Sequence, residues 1–216
     1  MNSTIIRSSY AQDIALALLQ IGAITLSPKA PYTWASGIVS PMYCDNRLTL
    51  SYPYLRQLIA DAFVDSIQTY SAQVEAIAGT ATAGIAHAAF VADRMGLPMA
   101  YVRSSAKGHG KQNLVEGRLL QNQHVAVVED TVSTGGSVLA AITGLREEGV
   151  KVAVALSIFT YGFAETYQAF QDIQVPLITL TDFETLVQVA ADHDYLRQEE
   201  VESILAFQKD PRSFRV

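Results

Sequence analysis

Short apolar runs alternate with stretches of helical periodicity along most of the sequence. The runs are continuous rather than alternating, which is typical of parallel strands that are buried on both faces. The helical stretches between them end at Gly96 and Gly149, which gives successive right-handed βαβ units. This pattern predicts an α/β protein with a doubly wound sheet. The predicted strands are residues 76–78, 99–102, 125–128, 152–158 and 177–180, and the predicted helices between them are 85–95 and 137–148.

The N-terminal part of the chain has a different pattern. Ser9 and Gln12 have the spacing of a capping box, after which apolar positions predict a helix over residues 10–21. Residues 23–52 combine prolines with several aromatic residues, a composition typical of loops and short strands. We interpret this region as a small capping subdomain, the hood, formed mainly by about residues 1–50.

Further helices complete the predicted fold. A helical pattern begins at Pro53, and residues 182–207 have the pattern of two more helices, the first capped by Thr181 or Asp182. Half of the 216 residues are hydrophobic and no low-complexity tract interrupts the chain, so one compact core is expected. We predict a single domain over residues 1–216, with the C-terminal region as a second contributor to the hood.

Composition excludes several classes of protein. A net charge of −6 and a pI near 5.1 disfavour binding to a nucleic-acid backbone, and no basic stripe overrides that repulsion. No run approaches the roughly 18 apolar residues of a membrane helix. Cys44 is the single cysteine and cannot form an intrachain disulfide, and no zinc-ligand spacing occurs. The sequence therefore predicts a cytoplasmic protein that binds neither nucleic acid nor membranes.

The strongest chemical signal follows the predicted strand 125–128. Two adjacent carboxylates come first, and a turn rich in hydroxyl groups and glycine then leads into a helix. Backbone N–H groups at such a helix start can bind a phosphate, whereas the carboxylates suit sugar hydroxyls or a developing cationic centre. The segment matches neither a Walker loop nor a dinucleotide fingerprint; a plain helix cap is the alternative. It reads Glu129-Asp130-Thr131-Val132-Ser133-Thr134-Gly135-Gly136-Ser137.

A second segment concentrates positive charge in an otherwise acidic chain. Its two glycines permit the large backbone excursions that a mobile lid needs, although a solvated basic loop would have the same composition. The cationic side chains are Arg103, Lys107, His109 and Lys111.

These segments resemble those of a known family. Residues 127–137 look like the PRPP-binding signature of type I phosphoribosyltransferases, and the similarity extends from Ser9 to about Phe163. Residues 101–117 resemble the mobile catalytic loop of orotate phosphoribosyltransferases. Two other similar segments are residues 34–47, which cover the base in that family, and residues 78–85, which lie against pyrophosphate.

The resemblance implies a fold and an activity. The implied fold is a central, mostly parallel five-stranded sheet flanked by helices, with a small hood. The implied enzyme transfers the ribose 5-phosphate group of PRPP to orotate in UMP biosynthesis, giving orotidine 5′-monophosphate and pyrophosphate. Mg²⁺ would be held mainly by PRPP, so no metal ligand is assigned to the protein with certainty. A homodimer with shared active sites is expected.

The same resemblance assigns roles to individual residues. The 5-phosphate would lie in the turn formed by Thr131, Val132, Ser133, Thr134, Gly135, Gly136 and Ser137. Glu129 and Asp130 would contact the ribose, and Ser133 would also contact orotate. The residues expected to act in catalysis are Arg103, Lys107, His109 and Asp130, and the first three are also expected to bind PRPP.

Three departures from the family pattern leave part of the site open. Ser104 stands where many members have a lysine, and Trp34-Ala35 occupies the place directly before Ser36-Gly37 where some members have another lysine. No clear equivalent of a third family residue, an arginine, occurs around residues 159–162. How the orotate carboxylate would be held is therefore not predicted. The alternatives are a phosphoribosyltransferase for another base, a PRPP-sensing regulatory protein, and a binding module without turnover.

Overall fold

A seven-stranded sheet forms the centre of the computed structural model, which describes residues 5–34, 37–71, 73–104, 114–212 and 214. The strands are β1 (Ile5–Arg7), β2 (Ile24–Leu26), β3 (Tyr32–Thr33), β4 (Val39–Ser40), β5 (Met42–Cys44), β6 (Ala76–Thr80), β7 (Met99–Val102), β8 (Val115–Glu116), β9 (His124–Val132), β10 (Lys151–Thr160) and β11 (Leu177–Asp182). The helices are α1 (Ala11–Gln20), α2 (Pro53–Tyr70), α3 (Gly84–Met95), α4 (Gly136–Glu147), α5 (Ala164–Asp172), α6 (Phe183–Asp192) and α7 (Gln198–Lys209), with a 3-10 helix at Asn46–Ser51.

The strand order of the large sheet is β1-β11-β10-β9-β6-β7-β8, and every pair is parallel except β7 with β8. The predicted α/β class with a mostly parallel sheet is confirmed. The five predicted strands are its five central ones. The two edge strands were not predicted, because three residues in β1 and two in β8 are too few to show a periodic pattern.

Helices cover both faces of the sheet. Successive side chains of a strand point to opposite faces, so Ile77 packs in one hydrophobic cluster and its neighbour Ala78 in the other. The first cluster contains residues of α1, α2, α3, α6 and α7, and the second contains residues of α4 and α5. All five residues of β6 are buried as a result. Burial on both faces explains the continuous apolar runs in the sequence.

The helices agree with most of the predictions. The structure corrects the cap predicted for α1 and adds one helix, α5, that was not predicted. Asp182 caps α6, its side chain accepting a hydrogen bond from the Thr185 backbone N–H at 2.9 Å. The predicted capping box of α1 is wrong, because Tyr10 occupies the N-cap position and none of the described side chains caps that helix. Helix α5 was missed; only Thr166 and Phe170 in it are buried, which leaves almost no periodic signal. Among the described residues, no helix is long and apolar enough to cross a membrane.

Residues 23–52 form short strands and loops, as their composition predicted, followed by the 3-10 helix. Strand β2 pairs with β5 and strand β3 with β4, both antiparallel, outside the large sheet. Trp34 connects the hood to the core, since its ring packs edge-on against Tyr161 at 5.0 Å and Phe207 at 6.0 Å between centroids. Phe207 belongs to α7, so the C-terminal helix packs against the hood.

Candidate active site

A cleft of about 550 Å³ lies between the hood and the carboxyl end of β9. The five central strands run in the order β11-β10-β9-β6-β7, so the chain leaves β6 in one direction and later continues from β9 in the other. Ligands of open α/β sheets bind at such a switch point. The lining residues are Thr33, Trp34, Tyr43, Cys44, Asp45 and Arg47 from the hood, Thr82 and Ala83 after β6, Asp130, Thr131 and Ser133 at the end of β9, and Tyr161 after β10.

The turn between β9 and α4 has the geometry of an anion site. Gly135 adopts φ +83°, a left-handed conformation in which a side chain would be strained. Among the described residues, a Cβ at Gly136 would meet no atom within 4 Å, so none of them blocks the first turn of α4 at this position. Within the described chain no side chain caps α4, and its first N–H groups are left for a ligand or solvent. Thr166 fixes the turn from α5 by donating a hydrogen bond to the Ser133 carbonyl at 2.5 Å.

The two acidic residues at the end of β9 differ sharply in environment. Glu129 is only 5% exposed. Its carboxylate oxygens accept hydrogen bonds from the Asp130 backbone N–H at 3.0 Å and from the Ser137 hydroxyl at 3.1 Å. Burial, followed by the interaction with Asp130, raises the pKa of Glu129 to about 7. Asp130 instead lines the cleft. Asp130 is therefore the carboxylate that a ligand can reach, while Glu129 ties the strand end to α4.

The turn after β6 packs directly against β9. A Cβ on Gly84 would lie 2.4 Å from the Val128 carbonyl oxygen and 2.6 Å from the Thr80 hydroxyl oxygen. Thr80 donates a hydrogen bond to the same carbonyl at 3.1 Å. The peptide bond between Ala81 and Thr82 is cis. The small residues of this segment thus allow the close backbone approach that the sequence led us to expect. Two residues of the turn, Thr82 and Ala83, line the cleft.

A buried chain of polar groups joins the hood to the core. Asn46 donates hydrogen bonds from Nδ2 to the Asp130 carbonyl at 3.0 Å and to the Thr131 hydroxyl at 2.9 Å. Thr49 donates to the Asn46 carbonyl at 2.6 Å, and its hydroxyl lies 3.4 Å from Nε2 of His87 on α3. Burial lowers the pKa of His87 to about 4. Sequence reasoning missed all three residues, because isolated polar positions in loops and helices have no recognisable spacing.

An ion pair stands at the hood side of the cleft. Arg47 donates to the Asp45 carboxylate from Nε at 2.6 Å and from Nη2 at 2.8 Å. These hydrogen bonds lower the pKa of Asp45. The Arg47 side chain is nevertheless 65% exposed. Both partners line the cleft, and neither received a role from the sequence.

The structure brings together some of the predicted site residues. Asp130, Thr131 and Ser133 line the cleft, and Thr134 lines a neighbouring cleft of about 560 Å³. The Val132 side chain is buried in the hydrophobic core, so only its backbone faces the turn. The other predicted turn residues, Gly135, Gly136 and Ser137, form the start of α4 and line neither cleft.

The predicted lid lies mostly outside the described residues. Lys107 and His109 belong to residues 105–113, which the structure does not describe. Arg103 follows β7 and pairs with Glu116, with 3.7 Å between Nη1 and Oε1. It does not line the cleft. Among the described residues, no group of three or more His, Cys, Asp or Glu side chains could hold a metal ion.

Comparison with known proteins first defines the class. The family model of the phosphoribosyl transferase domain matches residues 50–192, more than half of the chain. The matched range contains the turn after β6, the acidic pair and the phosphate-type turn before α4. The chain therefore belongs to the phosphoribosyltransferase family.

Similar proteins narrow the family further. An orotate phosphoribosyltransferase from Bacillus mycoides is 50% identical over 200 residues, covering 93% of this chain and 95% of that protein. One from Streptococcus agalactiae is 47% identical over 205 residues, covering 95% and 98%. The crystal structure of orotate phosphoribosyltransferase from Aeropyrum pernix is 29% identical, with a TM-score of 0.73 over 81% of this chain and 96% of that one. Within its family, the chain belongs to the orotate phosphoribosyltransferases.

Proposed function

We infer that this protein is an enzyme that transfers the ribose 5-phosphate group of PRPP to orotate, forming orotidine 5′-monophosphate and pyrophosphate. The observation that carries this inference is the identity of about half of all residues to orotate phosphoribosyltransferases over nearly the whole length of both chains. The cleft supports the same activity, because the Asp130 carboxylate and the first residues of a phosphate-type turn, Thr131 and Ser133, line it at the switch point of the sheet.

PRPP would bind with its 5-phosphate in the turn of residues 131–137. The open first turn of α4 supports this placement, since its N–H groups and the helix dipole favour an anion. Asp130 would then accept hydrogen bonds from the ribose hydroxyls, because it lines the cleft beside this turn. Glu129 would act indirectly. It would hold the end of β9 and the start of α4 in place by accepting hydrogen bonds from the Asp130 backbone N–H and the Ser137 hydroxyl.

The reaction breaks the bond between C1 of the ribose and the pyrophosphate oxygen, and a ring nitrogen of orotate forms a new bond to C1. The proton of that nitrogen ends on the released pyrophosphate. Positive charge develops on the sugar as the first bond breaks, and the Asp130 carboxylate would stabilise it electrostatically. Arg103, Lys107 and His109 would stabilise the negative charge of the departing pyrophosphate. This assignment rests on the resemblance of their segment to the family's catalytic loop. Ser133 would contact the orotate ring.

Mg²⁺ is the cofactor that this chemistry calls for. The ion prefers oxygen ligands and usually keeps several waters and substrate phosphates, so PRPP would supply most of its ligands. The cleft fits this, because it offers the Asp130 carboxylate as an oxygen donor. When bound, Mg²⁺ would neutralise part of the charge on pyrophosphate.

The organisation of the whole protein is a further part of the proposal. One domain would span residues 1–216, and the contact between Trp34 and Phe207 supports a contribution of α7 to the hood. A homodimer with shared active sites would form in the cytoplasm. Mixing Lys107→Ala subunits with Asp130→Asn subunits tests the sharing. Recovery of activity supports shared sites, whereas two inactive variants that stay inactive after mixing contradict them.

The direct test of the function follows the ultraviolet absorbance of orotate with purified protein, PRPP and Mg²⁺. Parallel reactions contain uracil or hypoxanthine in place of orotate, and a control contains a chelator of Mg²⁺. We expect consumption of orotate that depends on both PRPP and Mg²⁺. Turnover of another base instead of orotate would mean that the protein is a phosphoribosyltransferase for that base. Binding of PRPP without any turnover would favour a PRPP sensor.

A further inference from the structure

The cleft presents a single cation among the residues that the structure describes. Its lining contains the carboxylates Asp45 and Asp130, and Arg47 is the one positively charged side chain there. Orotate is a uracil ring that carries a carboxylate, so a site specific for orotate needs a donor for that group. A buried or half-buried carboxylate that lacks a charged partner is costly, whereas a paired one is bound tightly.

The guanidinium of Arg47 still has donors to offer. Asp45 takes up one edge of the group through Nε and Nη2. A guanidinium has five N–H donors in a planar fork, so the edge formed by Nη1 and the second N–H of Nη2 can bind another carboxylate in the same two-pronged manner. The Asp45 pair also fixes the long side chain, which reduces the entropy lost when a ligand binds.

Other described cations near the cleft are engaged or lie elsewhere. Arg56 donates to the Leu50 carbonyl at 3.0 Å, and its guanidinium lies 5.3 Å from the centroid of the Phe90 ring. Lys209 and Arg212 line the neighbouring cleft instead. Trp34 lines both clefts and therefore lies at the boundary between them. Arg47 is thus the cation placed to meet a ligand among Tyr43, Thr131 and Ser133.

We propose that Arg47 binds the carboxylate of orotate and thereby determines specificity for this base over bases without a carboxylate. Asp45 is the positioning residue that holds the guanidinium in place. The proposal rests on the proposed function. It assigns to the hood the binding of the carboxylate, a role for which the sequence has no lysine directly before Ser36-Gly37 and no arginine at residues 159–162.

The test compares Arg47→Gln and Arg47→Lys with a matched control, Arg94→Gln. Arg94 makes the same kind of ion pair, 2.5 Å from Nε to Oδ1 of Asp61, away from the cleft. We expect Arg47→Gln to raise KM for orotate by about 10- to 100-fold, the loss of one charge-assisted contact. KM for PRPP should stay within about twofold, as for a surface substitution. Arg47→Lys should lie in between, because it keeps the charge but not the fork.

A second readout separates specificity from general damage. Orotate and uracil are titrated as ligands of each variant in the presence of Mg²⁺ and pyrophosphate, with thermal unfolding as a check on folding. The proposal requires that Arg47→Gln weakens orotate binding and leaves the binding of uracil unchanged. An unchanged KM for orotate, or a rise in KM for PRPP instead, would overturn it. If the unsubstituted protein does not use orotate at all, the proposed function itself fails. If Arg47→Gln does not fold, Arg47→Lys decides the question.

Discussion

The turn of residues 129–137 and the hood face each other across one cleft, but they are held in place differently. The turn combines local hydrogen bonds, as from Ser137 to Glu129, with a distant one from Thr166 of α5 to the Ser133 carbonyl. The hood has strands of two or three residues and depends on partners far away in sequence, as when Asn46 binds the Asp130 carbonyl. The turn is thus held partly by its own residues, whereas the hood takes its geometry from the core on which it rests.

This difference explains how much the sequence predicts. The five central strands and the turn before α4 are recognisable because burial and helix starts leave local patterns. The edge strands β1 and β8 are too short to leave one. The chain of Asn46, Thr49 and His87 and the pair Asp45–Arg47 arise from tertiary contacts or single side chains, so no periodicity marks them. The mobile lid was predicted from the charges and glycines of its sequence and from the resemblance of residues 101–117 to the family's catalytic loop. The roles of Lys107 and His109 in it stay predictions.

The largest expected effect comes from the reachable carboxylate of the turn. Asp130→Asn keeps the size of the side chain but removes the charge that would stabilise the developing positive charge on the sugar. We expect kcat/KM to fall by about 100- to 1,000-fold, the size found when one preorganised electrostatic group is removed. Steady-state kinetics with orotate measures it, and thermal unfolding should show an unchanged fold. A decrease of less than tenfold would mean that Asp130 does not meet the reacting sugar.

The next prediction compares Gly84 and Gly136, the first residues of α3 and α4, because a Cβ added at each would have different surroundings. Gly84→Ala would place a methyl group 2.4 Å from the Val128 carbonyl, which the packed strand can relieve only by shifting. We expect a loss of about 3 kcal/mol in the free energy of unfolding, at the upper end for overpacking. Gly136→Ala is the matched change, since its Cβ would meet no atom of the described part of the chain within 4 Å. It should leave stability nearly unchanged and raise KM for PRPP by filling the phosphate turn. Equal stabilities of the two variants in urea would contradict the packing argument.

The buried carboxyl of Glu129 predicts a dependence of stability on pH. Its pKa is raised to about 7 in the folded protein, so the folded state holds the proton more tightly than the unfolded state does. This contribution is full below the ordinary pKa of 4.5 and is lost as the pH rises through 7. We expect the unfolding free energy to fall by on the order of 2 to 3 kcal/mol between about pH 5 and pH 8 through this group.

Glu129→Gln isolates that contribution, because Gln can still accept the hydrogen bond of the Asp130 backbone but does not titrate. The difference between the two proteins is the quantity to follow. His87 acts in the opposite direction, since its lowered pKa costs stability as the pH falls from 6.5 to about 4. Urea unfolding at a series of pH values measures both proteins. Parallel pH profiles for the two would show that Glu129 is ionised alike in the folded and unfolded states.

The smallest expected effect tests the link between the two regions. Asn46→Ala removes two partly buried hydrogen bonds to the end of β9, so we expect a loss of about 1 to 2 kcal/mol in the unfolding free energy. Thr25→Ala is the control, because it removes an exposed hydrogen bond to Tyr32 within the hood and should change stability by less than about 0.5 kcal/mol.

The kinetic signature of Asn46→Ala distinguishes a structural link from a functional one. If the hood only covers the core, the loss of stability should leave KM for both substrates unchanged in the folded fraction. Because the hood supplies Tyr43, Asp45 and Arg47 to the cleft, we expect KM for orotate to rise more than KM for PRPP. Equal rises would mean that Asn46 acts chiefly on Asp130 and Thr131, and so that the hood and the turn respond as one unit rather than as two.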